Sequence, residues 1–177
     1  MTNACQRVIF LDYDGVVNTP MWELRNGQWK CRFNHDFDGK VNNTQAVQWV
    51  SEFCEKYGYD IVVTSTWRYS DDYDVFLIQA GLRKGIEILG RTPFLRLRDY
   101  SKTRGDEISQ YLAENPEITG YLIFDDEADM GPHLDHLVQC NPDIGFGYAE
   151  YCHAEELHRK FNATDQPIAA NNHHLFL

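Results

Sequence analysis

The chain has 177 residues, 43% of them apolar and 14% aromatic, which suits one soluble domain with a single core. Its 16 basic and 27 acidic residues leave a net charge of −11, which excludes a broad basic face for duplex nucleic acid. No apolar run is long enough for a membrane span, and "MTNACQRVIF" lacks the charged start and long apolar stretch of a secretory signal, so a cytoplasmic protein is expected.

"RVIFLD", residues 7–12, is short, β-branched and continuously apolar, which predicts a strand buried on both faces. It runs straight into Asp12 and Asp14, followed by Gly15. Residues 20–33 read as a hairpin about Asn26-Gly27, flanked by Trp22 and Trp29, and "FNHDFDGKVN" reads as loop. Val47, Val50, Phe53, Cys54 and Tyr57 have helical spacing and predict a helix over 44–57, capped by Asn42 or Asn43 and ended by Gly58. "DIVVTS", 60–65, is a second buried strand. Ser70, Asp71 and Asp72 suit the start of a helix running through "VFLIQAG". "GIEILG", 85–90, predicts a third short strand, and 103–114 a helix that Pro116 stops. "GYLIFDD", 120–126, is a strand ending in two acids, "HLVQC" a short edge strand, and "YAEYCHAEELHRKF" a closing helix. The residues from 165 to 177 read as a loose tail, unless Leu175 to Leu177 dock.

Cys5, Cys31, Cys54, Cys140 and Cys152 are odd in number, scattered and without a C-x-x-C pair, so reduced thiols are expected. His133, His136, Cys140 and His153 match no metal-ligand spacing. Strands that alternate with helices and read as apolar runs predict an α/β, doubly wound single domain with a mainly parallel sheet. Ligands of such sheets bind beyond the carboxyl ends of the strands. Asp12 with Asp14, Thr64 to Thr66, and Asp125 with Asp126 all fall there. So does the start of the helix that follows the basic stretch of Arg83, Lys84, Arg91, Arg96, Arg98, Lys102 and Arg104.

Carboxylates crowded into one cleft raise one another's pKa unless a cation neutralises them. An all-oxygen ligand set with open positions suits Mg²⁺, which pairs with substrate phosphate. A strand-end hydroxyl can donate to a phosphoryl oxygen, and a cation can balance the transition-state charge. Together these make a phosphoryl-transfer site, and no G-x-x-x-x-G-K-[ST] loop points to a P-loop kinase.

"VIFLDYDGVVN" resembles the first motif of the haloacid dehalogenase (HAD) superfamily of phosphohydrolases; "DIVVTS", "KTRGDEI" and "YLIFDD" resemble its second, third and fourth, in order. The resemblance implies a Rossmann-like HAD fold and a Mg²⁺-dependent phosphatase. Asp12 would be the nucleophile that forms an aspartyl-phosphate. Asp14 would protonate the leaving group and then activate water, its backbone carbonyl on the metal. Ser65, or failing it Thr64, would be the second-motif hydroxyl. Arg104 sits where the third motif begins, but the family prefers lysine and Lys102 is the only one nearby, so both stay open. Asp126 aligns with the metal-holding acid and Asp125 with the acid before it. Asp129 would add a contact behind them or be a plain loop acid.

The intervals between motifs leave no room for a large cap domain, only a hairpin flap within about 16–40. An open cleft suits phosphates on large substrates. "VVTSTWR", "RGDEISQYL" and "YLIFDDEADM" look most like the HAD domains associated with RNA-repair proteins, and are similar to the phosphatase half of polynucleotide kinase–phosphatases. This implies a polynucleotide end or nucleotide as substrate, with Gly15, Thr64, Thr66 and Arg68 near its phosphate. Trp67, Trp22 or Trp29 would stack on a base or simply pack. Arg96 and Arg98 would follow the nucleic-acid backbone or lie solvated. A phosphatase of a small metabolite or phosphoprotein, and a non-catalytic binding module on the same fold, are the alternatives.

Overall fold

Gln6–Leu11 form β1, whose residues Val8 to Leu11 are wholly buried. The structure, a computed structural model, describes residues 6–19, 21–25, 28–32 and 44–162. The Asn26-Gly27 turn, the caps Asn42 and Asn43, the side chains of Trp22 and Trp29, and the tail lie outside the described residues. After β1 come an antiparallel pair, β2 (Met21–Arg25) and β3 (Gln28–Arg32), then α1 (Thr44–Tyr57) and β4 (Asp60–Val63). A 3₁₀ turn at Thr66–Tyr69 leads to α2 (Val75–Gln79) and β5 (Ile88–Arg91). α3 (Arg104–Glu114), β6 (Ile118–Asp125), a 3₁₀ turn (Gly131–His136), β7 (Leu137–Gln139) and α4 (Tyr148–Phe161) complete the order.

Five strands make one parallel sheet in the order β5-β4-β1-β6-β7. β1 is central, with Leu11 beside Val63 of β4 on one side and Phe124 of β6 on the other. Its alternate side chains feed two cores. Ile9 and Leu11 pack with Val47, Val50 and Phe53 of α1, Leu77 of α2 and Ala154 of α4. Val8 and Phe10 pack with Ile108 of α3 and with Met130. Helices thus cover both faces of a sheet, the α/β arrangement expected of strands that read as unbroken apolar runs. No helix among the described residues is long and apolar enough to cross a membrane.

Two elements depart from their sequence pattern, and one of them is the strand expected over 85–90, which lies at Ile88–Arg91. The helix expected from Ser70 onward is only Val75–Gln79. The Tyr73 carbonyl accepts the buried Tyr13 hydroxyl at 2.7 Å, which ties the segment before the helix to β1's end instead.

His133 and His136 are packing groups. His133 sits between the Ser109 and Tyr121 hydroxyls, 2.7 Å from each. His136 stacks between Tyr121 (4.1 Å) and Phe161 (4.0 Å) and bonds the Tyr121 carbonyl. Burial lowers the pKa of both. The unfolded chain then binds more protons than the folded one, so stability falls as pH drops through the unfolded histidine value of about 6.5. Calorimetric Tm should therefore fall from pH 7.5 to 5.5 by less in His136→Phe than in the unaltered protein.

Candidate active site

The backbone N–H of Asp12 donates to the Phe124 carbonyl at 3.0 Å, extending β1's pairing one residue and fixing Asp12 at the carboxyl end of the central strand. The chain then turns sharply. The Tyr13 carbonyl accepts from Val17 N at 2.9 Å and Asn18 N at 2.7 Å, and Gly15 N donates to Asn18 O at 2.8 Å. Gly15 has φ +80°, and a Cβ there would lie 2.6 Å from the Asp126 carboxyl carbon. Glycine is the residue that allows both the conformation and the contact.

Arg104 is placed by its helix start. Thr103 accepts from Asp106 N at 3.3 Å and donates its own N–H to the Asp106 carboxylate at 2.8 Å, a reciprocal cap. Asp129 clasps the same turn, accepting from Arg104 N (3.2 Å) at its side chain and from Gly105 N (3.2 Å) at its carbonyl. Gly105 lies so close to Met130 that a Cβ would sit 2.2 Å from the Met130 oxygen. The buried Arg104 guanidinium then reaches three groups: Asp12 Oδ1 at 3.1 Å, Asp125 Oδ2 at 3.2 Å and the Thr64 carbonyl at 2.6 Å. Lys102 is exposed in the preceding turn and does not line the cleft. Of the two cations left open by the sequence, Arg104 is the one beside Asp12.

Asp12, Asp125 and Asp126 bring carboxylate oxygens within 4.8 Å of one another. Burial raises the pKa of both Asp12 and Asp125, against the pull of Arg104. Asp126, half-buried, is raised by burial and by its acidic neighbours. Burial also works against the Arg104 charge, yet Asp12 and Asp125 hold its pKa above the ordinary arginine value. One guanidinium shared by this cluster leaves it short of positive charge. Asp125 Oδ2 has the Arg104 contact but no hydrogen bond of good geometry. An all-oxygen set with that deficit fits a hard divalent cation such as Mg²⁺.

The cluster opens onto a cleft of about 480 Å³, lined also by Asp14, Gly15, Thr66 and Asn18. Thr64 and Ser65, expected to offer a hydroxyl to the phosphate, are instead fully buried and do not line it, the strand end being packed there; Ser65 hydrogen-bonds Asp12 and caps the 3₁₀ turn by accepting from Trp67 N. Asp14 is exposed, with Oδ1 accepting from Asn18 Nδ2 at 2.6 Å and Oδ2 from Trp67 Nε1 at 2.9 Å. Glu127, Pro142 and Asp143 line the cleft as well. Sequence reasoning missed them and Asn18. Pro142 and Asp143 follow β7, so the strand-end rule covers them, but β7 is only three residues long and its pattern is faint.

Arg68 corrects an expectation. It was to touch the substrate phosphate, but it is 2% exposed and is not among the residues that line the cleft. Its guanidinium pairs with Glu107 at 2.5 Å and donates to the Thr64 and Ser65 carbonyls. Glu107 in turn accepts from Leu95 N at 3.0 Å and Arg96 N at 3.3 Å. The pair braces the strand end from below. Breaking a buried pair strands the other charge, so Arg68→Ala should cost about 3–5 kcal/mol in urea denaturation. The double replacement Arg68→Met with Glu107→Leu should cost less than Arg68→Ala.

Three arginines of the basic stretch are held by contacts within the chain near its surface. Arg83 pairs with Glu52 (2.7 Å) and Glu55 (2.6 Å), Arg91 donates to the Arg68 and Ser70 carbonyls, and Arg96 lies 3.4 Å from Asp129. Arg98 is exposed and does not line the cleft. Trp67, part-exposed, packs its ring against Tyr13 and Phe76.

A search of the curated proteins gave no match, and neither did one of the solved structures. The family model of the HAD domain in Swiss Army Knife RNA repair proteins matches residues 8–150, from β1 through the loop after β7 into α4, and the chain belongs to that family.

Proposed function

We propose that the protein is a Mg²⁺-dependent phosphatase that removes a phosphate monoester from a polynucleotide end through an aspartyl-phosphate. The observation that carries this reading is Asp12. It stands at the end of the central strand, held by Arg104, beside Asp125 and Asp126, and it opens onto the cleft next to Asp14. Membership in an RNA-repair family and the absence of a large cap domain among the described residues support a polynucleotide end as the substrate.

In the first step an Asp12 oxygen attacks phosphorus, and the bond to the ester oxygen breaks. Asp14 gives its proton to the departing hydroxyl. In the second step Asp14 takes a proton from a water molecule as that water attacks the phosphorus of the aspartyl-phosphate. Inorganic phosphate leaves and the Asp12 carboxylate is restored. Arg104 orients Asp12 and Ser65 fixes its rotamer from below, while Thr66 faces the cleft where it can donate to a phosphoryl oxygen. Asp12, Asp126 and Asp125, with the Asp14 carbonyl, would hold Mg²⁺, which supplies positive charge for the phosphoryl oxygens when bound.

The test is phosphate release from a 3′-phosphorylated oligonucleotide with Mg²⁺ or EDTA, beside an aryl phosphate. Metal-dependent release from the oligonucleotide is expected. Turnover of the aryl ester alone would remove the polynucleotide from the reading and leave a small-metabolite or phosphoprotein phosphatase.

A further inference from the structure

The geometry points to Trp67 as a positioning residue for catalysis, whose indole N–H holds Asp14 Oδ2 so that Asp14 transfers its proton from Oδ1. This rests on the proton-transfer role given to Asp14 above.

Asp14 is exposed on the cleft wall, where a short side chain has nothing bulky to fix its rotamer. Two N–H groups do so instead. Asn18 lies four positions on in the same turn, itself held by Tyr13 O and Gly15 N, and donates to Oδ1 at 2.6 Å. Trp67 comes from a segment 53 positions away and donates to Oδ2 at 2.9 Å. Its ring meets Tyr13 edge-on at 6.0 Å and Phe76 at 5.0 Å, and Tyr13 stacks on Phe76. The indole is thus set by packing before any substrate arrives, and its N–H costs little ordering.

The two donors differ in what they permit. An indole N–H only donates. It therefore requires Oδ2 to be an accepting oxygen in both protonation states, and the carbonyl oxygen of a carboxyl group is the better acceptor. A carboxamide can donate or, turned over, accept. Asn18 can therefore follow Oδ1 as it loses and regains a proton. Trp67 also stabilises the carboxylate that remains once the proton has gone to the leaving oxygen, by a charge-assisted hydrogen bond. That help matters most for a leaving group that needs the proton, such as a sugar hydroxyl.

The test is kcat/KM, which reports formation of the aspartyl-phosphate, across aryl phosphates from 2,4-dinitrophenyl phosphate to phenyl phosphate. Two altered proteins are compared with the unaltered one: Trp67→Phe, and the chain with benzothienylalanine at 67, which keeps the indole's shape and replaces N–H by sulfur. Both should lose about 10-fold or more on phenyl phosphate, the size of a lost hydrogen bond to a charged group, and progressively less as the leaving group improves. An equal loss along the series would mean packing or substrate stacking and overturns the inference, as does no loss at all. Asp14→Asn, run alongside, should show the same trend more steeply. A steep trend in Asp14→Asn with a flat one at position 67 removes only this inference. An Asp14→Asn protein that hydrolyses phenyl phosphate at the unaltered rate removes the role of Asp14 itself, and the inference with it.

Discussion

Asp12→Asn should lower phosphate release by about 10⁴-fold or more while the Tm moves little. The carboxamide has the shape of the carboxylate and keeps its partners. Its oxygen can accept from Arg104, and its NH₂ can donate to the Ser65 hydroxyl. Asp12 N still pairs with Phe124 O, so the strand end stays put. What is lost is the anionic oxygen that attacks phosphorus. Phosphate release and thermal unfolding, measured on the same preparation, check both halves. Residual activity near that of the unaltered protein would sink the covalent role.

The second large effect is expected at Arg104. Arg104→Ala leaves Asp12 and Asp125 buried with no cation between them, and it strips a donor from the Thr64 carbonyl. In EDTA this should cost about 3–5 kcal/mol of stability. Activity should fall by about 10²–10³-fold, the usual loss when one preorganised donor is removed. Added Mg²⁺ should restore part of the stability, because it returns positive charge to the same carboxylates. Arg104→Lys should fall between. The ammonium keeps the charge but lacks the planar fork that reaches two carboxylates and a carbonyl together. Urea denaturation in EDTA and in Mg²⁺ reads the comparison directly, and an Arg104→Ala protein as stable in EDTA as the unaltered one would refute it.

The strands and their polar ends are legible in the sequence because β1, β4 and β6 are unbroken apolar runs that can lie nowhere but inside a sheet. The convergence of Asp12, Asp125 and Asp126 follows from that alone. The choice between Lys102 and Arg104 was also open to reading, in hindsight of a local signal. Thr103 with Asp106 three positions later is a capping box, which starts the helix at Arg104 and leaves Lys102 outside. Arg68 is different. Its partner Glu107 is 39 positions away on α3, and no local pattern says that the two will meet under the sheet's edge. A buried arginine and a substrate-binding arginine look the same until the packing is known. Trp67 could be read as an aromatic beside the site, but which way its N–H points depends on Tyr13 and Phe76 together.

The central place of β1 has a kinetic consequence. Asp12 meets Arg104 across 92 positions of chain, and its neighbours in the sheet, β4 and β6, join it only through long crossovers. Parallel pairs of this kind cannot zip up from a tight turn, and contacts so distant in sequence form slowly. Catalytic competence therefore belongs to the end of folding. During refolding it returns with the last pairing of the sheet, which also supplies the packing that holds helices such as α1 and α4.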